Sequence, residues 1–253
     1  MNRIRIGVQL HPQHTTVDDL RAGWRAADAL GVDSIWTWDH FYPLYGEPDG
    51  AHFEGWTLLA AMAADTRHAH VGLLVSCNTY RNPELVADMA RTIDHISGGR
   101  AILGIGAGWF ERDYAEYGYH FGTAPERLRA LREALPRIEA RLAELNPPPV
   151  QSPLPICIGG GGEKVTLALV AKHAHIWNGL GQPDVIRHKN AVIDEWCAKV
   201  GRDPAEIERS VAISATELDR AEEWVAAGAT HLIAMTAHPF DLAPVEKLIA
   251  RLH

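Results

Sequence analysis

The sequence predicts a single (β/α)₈ barrel of the TIM-barrel class, one α/β domain spanning residues 1–253. Three observations carry that expectation. Eight short apolar runs alternate with stretches of helical periodicity from one end of the chain to the other, and such alternation builds a parallel sheet. The count of eight and the length of 253 residues both suit a closed barrel of about 250 residues. No G-x-G-x-x-G turn follows the first run, as an open dinucleotide-binding sheet would require.

The elements follow in order. Residues 3–10 read as a buried strand. Thr16 then opens a helix with Asp19 three residues on, a variant of the capping box. Leu20, Trp24, Ala27 and Leu30 fall on one face, and Gly31 stands where a left-handed terminator is wanted. Residues 33–38 form the second strand, 56–64 a short helix and 70–76 the third strand. Asn82-Pro83 starts the next helix, a cap followed by proline in the first turn, and Gly98-Gly99 stops it. Residues 101–105 are the fourth strand. Thr123-x-x-Glu126 opens a long helix over 123–145, in which Pro136 deletes one backbone bond and predicts a kink. The proline-rich stretch 146–155 reads as a stiff crossover between barrel halves. Runs at 154–158, 174–177, 207–214 and 230–235 complete the strands, with helices near 163–173, 183–200, 217–227 and 241–252.

Composition narrows the function. Cys77, Cys157 and Cys197 are odd in number, far apart and without C-x-x-C spacing, so neither a disulfide framework nor a structural zinc site is expected. A net charge of −8 repels nucleic-acid phosphates. No apolar run approaches the roughly 20 residues of a membrane span, and no leader core precedes the first strand. A cytoplasmic protein acting on a small molecule, without nucleic-acid or membrane partners, is expected.

In a barrel the chemistry sits on the loops that follow the strands, and four segments stand there. Asp39-His40 emerges from an apolar strand, an acid beside the one side chain that titrates near neutrality. Gly159, Gly160, Gly161 and Gly162 precede a helix. Four residues without Cβ atoms let backbone N–H groups and a helix N-terminus hold an anion, with Lys164 available to add charge. Gly104-Ile-Gly106-Ala107-Gly108 carries Trp109 where a third fingerprint glycine would stand, so close packing of a planar ligand fits it better than dinucleotide binding. Aromatic residues gather at the rim: Trp36, Trp38, Phe41, Tyr42, Tyr45, Trp109, Phe110 and Trp177. Arg81 reads as a surface charge at a helix entry, and His68, His70, His95, His188 and His253 as solvent-facing or loop residues.

The sequence resembles the luciferase-like flavin and deazaflavin oxidoreductases over nearly its whole length. The resemblance is carried by Arg5-Ile-Gly7-Val-Gln9, Ile35-Trp-Thr-Trp-Asp39-His40 and Asn78-Thr-Tyr-Arg-Asn82-Pro83-Glu-Leu. It continues through Asp94-His-Ile-Ser-Gly-Gly99-Arg100-Ala-Ile-Leu-Gly104-Ile-Gly-Ala-Gly-Trp109, Pro155-Ile-Cys-Ile-Gly-Gly-Gly-Gly-Glu163 and Gly228-Ala-Thr-His-Leu-Ile233. It implies a (β/α)₈ barrel, and Asp-His after the second strand resembles the branch that uses coenzyme F-420, an 8-hydroxy-5-deazaflavin. On that likeness Asp39 and His40 lie against the deazaflavin ring as the catalytic pair, with His40 a proton donor or hydrogen-bonding group. A strained, often cis, bulge near Val75 and Ser76 supports the ring. Asn78, Thr79, Gly106, Ala107, Gly108, Trp109 and Trp177 join the cofactor site, and Gly159, Gly160, Gly161 and Gly162 hold its phosphate. A homodimer is implied by likeness alone.

Two departures bear on substrate and shape. A deazaflavin-dependent sugar-phosphate dehydrogenase of the family carries a glutamate where this chain has Gly108-Trp109, its phosphate-gripping basic residues have no counterparts, and no catalytic acid transfers to Glu111. Only residues 214–216 separate the seventh predicted strand from its helix, where longer members insert a lid, so an open or partner-completed site is expected. The expected reaction is hydride transfer between the deazaflavin C5 and a small organic substrate such as an enone, imine or activated double bond. The alternatives are an FMN-dependent monooxygenase on the same scaffold, a metal-dependent barrel hydrolase prompted by fourteen histidines, and a non-enzymatic flavin-binding subunit. The hydrolase reading has His11-x-x-His14 where His-x-His is usual, and no metal ligand is assigned.

Overall fold

The computed structural model describes residues 3–252; His253 lies outside the described residues. The strands are β1 (Arg5–Leu10), β2 (Ser34–Thr37), β3 (His70–Leu73), β4 (Ser76–Cys77), β5 (Ala101–Gly106), β6 (Ile156–Gly159), β7 (Ile176–Gly179), β8 (Glu208–Ser214) and β9 (His231–Thr236). Every pairing between them is parallel, and β1 pairs with both β2 and β9 (Val8 opposite Ile35 and Ala234), which closes the ring. β3 and β4 both pair with β5, so they are two halves of one stave and the barrel has the eight positions expected. The expected irregularity falls between them: the Leu74–Val75 peptide is cis.

The helices are α1 (Val17–Leu30), α2 (Gly55–Asp65), α3 (Pro83–Ser97), α4 (Glu111–Tyr117), α5 (Ala124–Glu144), α6 (Thr166–His173), α7 (Pro183–Val200), α8 (Ala221–Ala226) and α9 (Ala243–Leu252). The ends of α1 and α3 and the start of α5 are set by residues read from the sequence. Thr16 accepts from the Asp19 N–H and Gly31 adopts the left-handed conformation. Asn82 accepts from the Glu84 and Leu85 N–H groups, with Pro83 in the first turn. Thr123 and Glu126 cap α5 reciprocally. The helix expected over 217–227 is a 3₁₀ segment (Ala215–Arg220) followed by the six residues of α8. This 3₁₀ segment begins directly at the end of β8, so no long lid stands there. Helix α4 was not anticipated, because seven residues closed by Gly118 are too short to display a helical period.

The interior has two layers. Between barrel and helices lies a large apolar shell that includes Ile6, Val8, Leu20, Trp24, Leu103, Ile158, Trp177 and Leu232. Inside the barrel, Trp36 packs with Ile102, Cys157, Ile176 and Ile233. Gly72 makes room for that indole, since a Cβ there would stand 2.7 Å from the Trp36 ring. Below it the barrel floor is polar. Arg5 pairs with Glu208 at 2.7 Å, Glu208 with His231 Nδ1 at 2.6 Å, and His231 Nε2 with Ser34 Oγ at 2.8 Å. His70 joins this floor, half-buried with its Nδ1 3.3 Å from Arg5, rather than facing solvent. Among the described residues no helix is long and apolar enough to cross a membrane.

Candidate cofactor and active site

The strand ends β2 to β7 enclose a cavity of about 310 Å³ at the C-terminal mouth of the barrel. Of the residues expected at the site, Asp39, His40, Val75, Ser76, Gly106, Ala107, Gly108, Trp109, Gly159 and Gly160 line it, together with Leu74, Cys77, Tyr80, Thr166, Asn178 and Leu180. Its floor is flat for a steric reason. The Val75 methyl groups press so closely on the neighbouring strands that a Cβ at Gly106 would lie 2.8 Å from one, and a Cβ at Gly159 2.9 Å from the other. Only glycine leaves such a surface bare.

Asp39 and His40 are consecutive but held by separate networks. The Asp39 carboxylate is fully buried and accepts from Ser76 Oγ at 2.7 Å, the Cys77 N–H at 3.1 Å and both terminal nitrogens of Arg81 at 2.6 and 3.0 Å. Arg81 also donates to Glu54 at 2.6 Å, and Trp56 Nε1 donates to Ser76 Oγ at 3.0 Å. The surface charge read at Arg81 is therefore a largely buried group packed behind the site, its side chain 13% exposed. Burial alone would lower the Arg81 pKa, but Asp39 and Glu54 outweigh it and hold the guanidinium charged.

His40 Nδ1 lies 2.7 Å from Asp113 Oδ2. Asp113 is fully buried and also accepts from the Phe41 and Tyr42 N–H groups and from the Tyr80 hydroxyl at 2.8 Å. A carboxylate only accepts, so the imidazole carries its hydrogen on Nδ1 and presents Nε2 elsewhere. Burial, and then the neighbouring Cys77 and Asp113, push the Tyr80 pKa far up, so its hydroxyl remains a donor. Trp109 and Phe110 meet the imidazole edge-on at 5.8 and 5.4 Å. Asp113, on α4, is the principal residue that the sequence reading missed.

Not every expected residue reaches the cavity. Trp177 is buried behind it and donates from Nε1 to the Gly160 carbonyl at 2.8 Å, which steadies the glycine loop from below. Thr79 hydrogen-bonds to the Tyr114 hydroxyl. Asn78 is buried with its Oδ1 unpartnered. Gly161 and Gly162 are exposed on the approach to α6, whose cap residue Val165 makes no side-chain bond to the first turn. The cation against this loop is Lys189 on α7, whose Cε would lie 3.6 Å from a Cβ at Gly161. Lys189 and His188 both bind Glu163, and Trp196 Nε1 donates to the Glu163 carbonyl.

These residues fit the deazaflavin that the sequence suggested. The bare floor and the uncapped helix start match a planar, phosphate-bearing molecule. The metal-hydrolase alternative finds no such match: among the described residues no three His, Cys, Asp or Glu side chains gather into a metal-holding set.

Fold and site together define a class, the parallel barrels with a glycine-floored cavity at the C-terminal mouth. Within it, the chain belongs to the luciferase-like monooxygenase family, whose model matches residues 2–251. An F-420-dependent glucose-6-phosphate dehydrogenase of Amycolatopsis mediterranei is 36% identical over 112 residues, covering 43% of this chain and 33% of that protein. The chain spans less than half the length of the first curated relatives it matches. In fold it is similar to an F-420-dependent secondary alcohol dehydrogenase in complex with an F-420–acetone adduct, with a TM-score of 0.88, 16% identity and 99% of each chain covered. It is also similar to the oxygenating constituent of the 3,6-diketocamphane monooxygenase of Pseudomonas putida in complex with FMN, with a TM-score of 0.77, 15% identity, and 99% of this chain and 98% of that one covered.

Proposed function

We propose that the protein is a coenzyme F-420-dependent oxidoreductase that moves a hydride between the deazaflavin C5 and a small organic substrate. The observation that carries the reading is the His40–Asp113 couple standing at the edge of a glycine-floored cavity. Its relatives named as F-420-dependent dehydrogenases support the cofactor. The FMN-dependent monooxygenase is the second reading, favoured by the likeness to an FMN-bound barrel.

When bound, the deazaflavin supplies two-electron chemistry at C5, and the protein supplies position and proton management. Gly106, Gly159 and Val75 would face the ring. Gly160, Gly161 and Gly162, with the start of α6, would hold the phosphate through backbone N–H groups. His40 gives or takes the substrate proton at Nε2, while Asp113 fixes the tautomer and stabilises the imidazolium when it forms. Asp39, neutralised by Arg81, keeps the β2 end and the β4 end in register and exchanges no proton.

Calorimetric titration with F-420 and with FMN separates the two readings. Saturable F-420 binding, with FMN at least tenfold weaker, is expected, and the reverse order overturns the proposal. With the tighter cofactor bound, His40→Ala is expected to lose turnover while cofactor affinity stays within about tenfold. Full turnover in that variant removes His40 from the mechanism.

A further inference from the structure

A second cavity, of about 610 Å³, opens at the same mouth over the ends of β1, β8 and β9. His11, Tyr45, Met235, Ala237 and Pro244 supply its walls, and Asp241 its only formal charge. It adjoins the first cavity through one residue. The His11 ring packs on Trp38 at 4.4 Å between centroids with the planes tilted by 30°, and the Trp38 ring meets His40 edge-on at 6.3 Å. Among the described residues, no lysine or arginine lines either cavity. The His11 Nε2 is buried without a hydrogen-bond partner, and burial drives the imidazole pKa down to about 4, so the ring is neutral at physiological pH.

We propose that this second cavity is the substrate pocket of the oxidoreductase site and that it selects an uncharged, largely apolar substrate bearing one hydrogen-bonding group. His11 is its specificity-determining residue. The inference rests on the functional reading above and deepens it. A phosphorylated or carboxylated molecule would enter a cavity with no cation to replace its hydration and with Asp241 repelling it, and burial penalises such an unpaired charge. An apolar body gains by leaving water, and the volume lies in the range of small-ligand sites. The His11 ring lines the cavity and makes no side-chain hydrogen bond among the described residues. A hydroxyl or carbonyl on that body therefore meets an imidazole free to pair at its cavity face, whereas an analogue lacking the group leaves it unpaired.

The test uses the full chain, with F-420 binding measured separately, and reads ligand binding by saturation-transfer NMR rather than turnover. Cyclohexanol is expected to bind at least tenfold more tightly than glucose 6-phosphate. His11→Leu is expected to weaken cyclohexanol about tenfold and to leave methylcyclohexane unchanged, a split that a general loss of packing would not produce. Ala237→Lys, at an exposed wall position, is expected to raise glucose 6-phosphate affinity about tenfold. Equal binding of the two ligands by the unaltered protein overturns the inference, as does a His11→Leu effect of the same size on both cyclohexanol and methylcyclohexane. Failure of F-420 to bind while these preferences hold overturns the functional reading and leaves the pocket's selectivity standing.

Discussion

The Asp39 carboxylate could exchange a proton with the cavity only by breaking its contacts with four donor atoms, two of them on Arg81, its partner in a buried ion pair. Removing one partner of such a pair typically costs about 3–5 kcal/mol, because the other is left charged and unsolvated. Arg81→Met is therefore expected to lower unfolding free energy by that amount in urea titrations, and Asp39→Asn added to it should recover part of the loss. Asp113→Asn tests the other network. The amide keeps the shape but can no longer compel a hydrogen onto His40 Nδ1, so turnover should fall about 100-fold or more, and the pH–rate profile should shift while cofactor affinity holds. Asp39 and His40 were legible in the sequence because a polar pair closing an apolar strand is conspicuous. Their partners were not. Arg81 and Asp113 lie 42 and 73 residues away, and no local pattern encodes which carboxylate meets which cation.

At the scale of elements, helix starts were readable at Thr16, Asn82 and Thr123, where a side chain caps its own backbone, while the Glu54 cap of α2 went unread. Those signals act within four residues. The family likeness implied a bulge near Val75 and Ser76, but the division of that stave into β3 and β4 was not read, because the apolar run 70–76 by itself is unbroken. The role of Trp177 was misread because a strand-end aromatic faces the mouth or the surrounding helices depending on strand phase, which the sequence leaves open. Shape complementarity between Val75 and the glycines of β5 and β6 makes a sharp prediction. Gly106→Ala places a methyl group 2.8 Å from Val75 and should cost about 1–3 kcal/mol as overpacking. It should also weaken deazaflavin binding at least tenfold by calorimetry, and Val75→Ala in the same chain should restore part of both.

For the whole molecule, the barrel was legible because its period repeats eight times, while its polar floor was not, since five elements meet there. Glu208 is the floor's pivot. Burial raises its pKa, but the His231 hydrogen bond, the charge of His231 and Arg5 outweigh this and bring it to about 2 from 4.5. A depressed carboxyl contributes stability that is complete above its unfolded pKa of 4.5 and is lost as pH falls toward 2. The shift corresponds to about 3 kcal/mol. His231 acts in the same direction: burial lowers its pKa, so the unfolded chain takes up that proton first on acidification. Unfolding free energy should therefore decline below about pH 6.5 and most steeply below 4.5, and Glu208→Gln should flatten the lower part of that decline. At the opposite end of the barrel, Trp109 borders the cavity, stays 63% exposed and touches His40 edge-on, whereas Trp24, Trp36, Trp177 and Trp224 are sealed inside. The lip thus carries an intrinsic optical reporter. Emission from one water-facing indole should dim when a violet-absorbing guest enters, and Trp109→Phe should remove most of that dimming without altering the signal of the interior.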